Sequence, residues 1–140
     1  MSEPLYTTEI LRLAASLKDP HDLEREDGRA EMRSPTCGSR ISLAVQLDPD
    51  RRIERLSMKV HACAFGQASA ALVEKHGSGR SHDEVSASLL ALSHWLASDH
   101  DDDKAWPGIS VLAPARSRKG RHGAILLPFR ALLAAIESAT

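Results

Sequence analysis

Two runs of alternating residues constrain this chain more than any other feature. Ile41, Leu43, Val45 and Leu47 alternate with Ser42, Ala44 and Gln46, which puts all four aliphatics on one face of a strand. Asp48, Pro49 and Asp50 then make a turn, and Leu56, Met58 and Val60 resume the alternation against Ser57 and Lys59. The pattern predicts an antiparallel hairpin, Ile41 to Leu47 against Ile53 to Val60, with one apolar face. A two-stranded hairpin is marginal in water, so that face must be covered.

Helical periodicity supplies the cover. Tyr6, Ile10, Leu13, Ala14 and Leu17 mark one face of a helix over Leu5 to Leu17. The charged segment Lys18 to Ser34, with Pro20 and Gly28, reads as a loop whose end, Ala30 to Arg33, adds a short edge strand. A second helix is expected from Cys63 to about His76, with Ala64, Phe65, Ala68, Ala71 and Leu72 inward and Gly77 as its stop. Ser81 and Glu84 form a capping box for a third, with Val85, Leu89, Leu92 and Leu96 inward and Trp95 on its buried flank. The last is expected from about Pro128 to Glu137, with Pro128 in its first turn and Phe129, Leu132, Leu133 and Ile136 inward. Trp106, before Pro107, reads as an anchor of the intervening loop. A small antiparallel sheet with helices on one face makes an α+β domain, and 140 residues suit a single domain spanning 1–140.

Composition narrows the function. A net charge of -1 with 26% charged residues argues against a broadly basic nucleic-acid binder, and 4% aromatic residues are too few for a base-stacking platform. No window approaches a membrane span, and MSEPLYTTEI lacks the basic and apolar regions of a signal peptide. The expected setting is cytoplasmic, where Cys37 and Cys63 stay reduced.

Both cysteines sit at junctions. Cys37 lies in the turn Ser34-Pro35-Thr36-Cys37-Gly38-Ser39, directly before the first strand of the hairpin. Cys63 lies where the second strand ends and a helix begins, and the free amides of a helix N-terminus favour a thiolate. Inert packing is the ordinary fate of a free cysteine, and this spacing matches no C-x-x-C zinc pattern. Serine hydrolysis at Ser39 or Ser69 is not indicated, because no G-x-S-x-G elbow is present.

Taken in order, Pro35-Thr36-Cys37-Gly38, the hairpin and Ala62-Cys63-Ala64-Phe65-Gly66-Gln67-Ala68-Ser69 carry a resemblance. They are similar to the P-x-C-G-D and G-C-x-x-x-x-A-S motifs of the iron–sulfur cluster assembly scaffold family, the IscU, SufU and NifU N-terminal type. The likeness extends more loosely from Tyr6 to about Ile136. Arg121-His122-Gly123 aligns with that family's third motif, where His122 matches and Gly123 stands in place of cysteine. Ser39 replaces the family's aspartate, and the charged Asp19 to Glu31 replaces its usual N-terminal segment. The long stretch from Cys63 to His122 resembles the SufU branch more than IscU.

The resemblance implies a partly eroded site of Cys37, Cys63 and His122, with Cys63 as possible persulfide acceptor. It implies a cargo of iron or a transient iron–sulfur cluster, or else zinc, or no metal. The implied partners are a cysteine desulfurase and downstream cluster-accepting or carrier proteins, with no nucleic acid and no membrane. Two alternatives remain: a zinc-dependent sulfur-transfer partner of a desulfurase, and a non-catalytic interaction protein that kept the fold. None of the three is an enzyme in the ordinary sense. A cluster needs four ligands, so three leave one position open. His61 is a candidate fourth ligand. His100 among Asp99, Asp101, Asp102 and Asp103 reads as a solvated acidic turn, and His21, His76, His82 and His94 as surface or structural histidines. The basic run Arg116, Arg118, Lys119 and Arg121 is either a soluble loop or a dock for an acidic surface or phosphate.

Overall fold

A computed structural model describes residues 6–35, 38–98 and 104–139 of the chain. The acidic turn of 99–103 lies outside them. Helix α1 spans Thr8–Ala15, shorter than its apolar period suggests, because the Thr7 hydroxyl caps it by accepting from the Ile10 amide at 3.2 Å. Strands β1 (Gly28–Arg33), β2 (Arg40–Leu47) and β3 (Ile53–His61) form one antiparallel sheet in that order. Helices α2 (Ala64–His76), α3 (His82–Ala97) and α4 (Lys119–Ser138) follow, with a 3-10 helix, Ile109–Ala115, before α4.

The hairpin forms in the expected register, with Leu43 opposite Met58 and Val45 opposite Leu56, all four buried. α4 packs on β1 and β2, and α2 packs on α1 and α4. Segment 18–27 has no regular structure but lies over the other sheet face. There the His21 amide donates to Ser57 Oγ at 2.8 Å, and Asp27 Oδ2 accepts from the Leu47 amide at 2.7 Å.

Two expectations need correction. β1 starts at Gly28, two residues before Ala30, although Gly28 reads as a breaker. Its missing side chain is what the packing uses: a Cβ there would stand 2.0 Å from the Ala135 carbonyl oxygen of α4. α4 begins at Lys119 instead of Pro128, which lies inside it. Proline removes the amide that would bond the Ala124 carbonyl. The helix continues because every residue from Ala124 to Phe129 is buried, and Ser69 of α2 donates to the Ile125 carbonyl at 2.6 Å. His82, read as a surface or structural histidine, takes a structural role. Its ring bridges Asp83 at 3.0 Å and Glu137 at 2.9 Å, and these carboxylates, Glu137 first, raise its pKa.

Other elements follow the sequence closely. Ser81 and Glu84 form the capping box of α3. Trp106 is buried, donates from Nε1 to the Leu72 carbonyl at 2.9 Å and meets Phe129 edge-on at 5.0 Å, so it anchors its loop on α2 and α4. Trp95 is buried on the flank of α3 under the Arg116 guanidinium, 4.9 Å from its ring centroid. Among the described residues no helix is long and apolar enough to cross a membrane.

Candidate functional site

The sheet register gathers the motif positions at one end. Arg33 pairs with Arg40, and Arg40 with His61, so the β1–β2 turn and the β3–α2 junction share that end of the sheet. The turn is held by the Ser34 amide on the Ser39 carbonyl at 2.8 Å and the Gly38 amide on the Ser34 carbonyl at 3.1 Å. Gly38 has φ +72, a left-handed conformation that favours glycine. Cys37 belongs to this turn and lies outside the described residues. Ser39, in the family's aspartate position, is buried.

Cys63 is the N-cap of α2, its thiol reduced, half-buried and packed against the core. Its side chain caps no amide, and no acidic residue occupies the first turn of α2. Gly66, one turn on, faces both Ala62 and α4: a Cβ there would stand 2.6 Å from the Ala62 Cβ and 3.4 Å from both the Cβ and the oxygen of Ala124. That close approach sets the start of α2 beside the first turns of α4, which carry His122 and Gly123. Gly66 and Ser69 do this positioning, and a glycine inside an apolar helical run is the sequence signal that could have shown it.

His122 is half-buried in the second turn of α4, and its Nε2 faces the carbonyls of Ala115 and Arg116 at 3.1 and 3.0 Å. Carbonyls only accept, so they assign a proton to Nε2, and in the neutral ring the lone pair is then on Nδ1. The 3-10 helix, where the sequence pattern predicts only a loop, supplies the first of these carbonyls. Orienting a histidine by a backbone carbonyl on its far nitrogen is how proteins prepare a metal ligand.

His61 does not join this site. β3 ends at His61, which is exposed on the face opposite Val60, whereas Cys63 turns in against the core. Arg116 is also committed elsewhere. Its Nε donates to the Trp95 carbonyl at 3.1 Å and its Nη2 to the Ser98 carbonyl, closing the C-terminus of α3. Arg118, Lys119 and Arg121 remain accessible. Among the described residues no three His, Cys, Asp or Glu side chains cluster as a metal site.

The fold agrees with comparisons to known proteins. The family model for the NifU-like N terminal domain matches residues 5–91. The chain is 33% identical over 72 residues to the iron-sulfur cluster assembly scaffold protein IscU of Streptococcus pyogenes serotype M1, across 50% of this chain and 45% of that protein. It thus spans about half the length of that relative. The solved N-terminal NifU-like protein of Brucella abortus superimposes with a TM-score of 0.85 at 26% identity, covering 96% of this chain and 94% of that one. A putative SUF-system scaffold from Fervidobacterium islandicum AW-1 shares the fold, with a TM-score of 0.83 at 20% identity over 94% and 96% of the two chains. The chain belongs to the NifU-like N-terminal domain family, the IscU, SufU and NifU group that its motifs resemble.

Proposed function

We propose that this domain is a scaffold-type acceptor in iron–sulfur cluster assembly, holding its cargo at Cys37, Cys63 and His122. The observation that carries this reading is His122, whose Nε2 is engaged by two backbone carbonyls, which leaves Nδ1 of the neutral ring for a ligand. Cys63 is the sulfur acceptor. Its thiolate attacks the outer sulfur of a persulfide on a cysteine desulfurase, a new S–S bond forms, and the donor cysteine leaves as a thiolate. Iron, or an immature cluster, is cargo bound by the two thiolates and the imidazole and passed to a downstream carrier. Gly123 has no side chain and Ser39 is a neutral hydroxyl, so the fourth position falls to water or a partner's ligand.

Anaerobic incubation with a cysteine desulfurase, cysteine and ferrous iron tests this. Intact mass should show one added sulfur that is lost in Cys63→Ser, with weak and transient cluster absorbance. His122→Ala should weaken retention of iron or zinc by about tenfold. Gly123→Cys should strengthen it by completing the ligand set. Persulfide with retained zinc and no colour under any condition would favour the sulfur-transfer reading instead. No adduct, or an adduct unchanged in Cys63→Ser, would overturn the acceptor role and leave an interaction protein.

A further inference from the structure

The face of the sheet away from the helices is divided. Its half toward the β2–β3 turn is covered by segment 18–27, and its half toward the candidate site is open. In register across the three strands of the open half stand Arg33, Arg40 and His61, with Lys59 in the next row. All four are exposed, and among the described residues none of their side chains has a hydrogen-bond or ion-pair partner. They line a shallow cleft of about 590 Å³ in which Glu31 is the one carboxylate. Arg33 and Arg40 are direct cross-strand neighbours, an arrangement of like charges that destabilises a sheet unless something neutralises it.

We propose that this open half-face docks an acidic protein surface. Three cations against one carboxylate, spread over strands spaced about 4.8 Å apart, present a field broader than a single phosphate needs. No Phe, Tyr or Trp lies in the cleft to stack a base, which disfavours a nucleic acid. The near-neutral net charge of -1 means that the cationic character is local to this face. Because the row lies at the sheet end where β3 leads into Cys63, a protein held there would rest beside the candidate site. The assignment does not depend on what that site carries.

The test is a heteronuclear NMR titration of the intact domain with a decaglutamate peptide at low ionic strength, with inorganic phosphate and an oligothymidylate as separate arms. Shift changes from the peptide should centre on Arg33, Arg40, Lys59 and His61 and fade with added salt. Binding should weaken by about tenfold or more in the double variant R33E/R40E. Arg55→Glu, on the same face at the covered end, should bind as the parent does. Shifts centred on Arg118, Lys119 and Arg121, or scattered over the surface, would overturn the proposal. Equal or tighter binding of the oligonucleotide or of phosphate at the row would overturn the assignment to a protein partner.

Discussion

At the end of the sheet near the Asp48–Arg52 turn, most charges have a partner. Arg25 is held by Asp27 at 3.0 Å and Glu54 at 3.6 Å, Arg52 by Glu84 at 2.5 Å, and Asp48 accepts from the amides of Asp50 and Arg52, each at 2.9 Å. Arg51, at φ 62, reaches the Ala139 carbonyl at 3.2 Å. At the opposite end Arg33, Arg40 and Lys59 face solvent, and beside them come the cysteine-bearing turn and junction. One sheet thus has an end closed by its own contacts and an end whose charges are left for another molecule. Uncompensated like charge persists in a folded domain where a binding role offsets its cost.

Substitutions at the two ends should therefore differ in sign. The largest effect is expected at Gly28, where a methyl group meets helix backbone that cannot easily give way. Gly28→Ala should destabilise by about 3 kcal/mol, the upper range for overpacking. Gly120→Ala, in the first turn of α4 with nothing within 4 Å, should stabilise by about 0.5 kcal/mol. Chemical denaturation of both variants checks the pair, and equal effects would mean that the close approach of α4 to β1 is not a constraint.

A smaller effect of opposite sign is expected at the open end. Arg40→Thr relieves the like-charge pair with Arg33 and suits a strand, so it should stabilise by about 0.5 kcal/mol at low salt, with the gain shrinking as salt is added. A loss of stability on that substitution would show that the row is internally compensated, and the contrast between the ends would fail.

The smallest effect concerns pH at the closed end. The Leu47 amide, and then Arg25, hold the Asp27 carboxyl below its ordinary value. A lowered pKa in the folded state contributes stability above the unfolded value of about 3.9, lost as pH falls through the folded value. Asp27→Asn should therefore lower Tm at neutral pH, and the gap from the parent should close under acid. Thermal melts across the acid range read this directly, and a gap that widened toward low pH would contradict the sign.

The hairpin, the capping box of α3 and the core of α2 were legible in the sequence because each depends on neighbours in the chain. Period-two aliphatics choose a strand, and Ser81 with Glu84 closes its own helix end. The motif order around Cys37, Cys63 and His122 was legible for the same reason, being a linear pattern. Tertiary structure alone decided that Gly28 opens a strand, that α4 runs through Pro128, and that His61 and Cys63 part company. Each turns on a group far away in the chain: the Ala135 carbonyl over Gly28, Ser69 on Ile125, the core that draws Cys63 inward. His122 shows the division most plainly. Its presence is a fact of sequence, but the nitrogen that stays free is chosen by carbonyls that only the folded 3-10 turn brings to it.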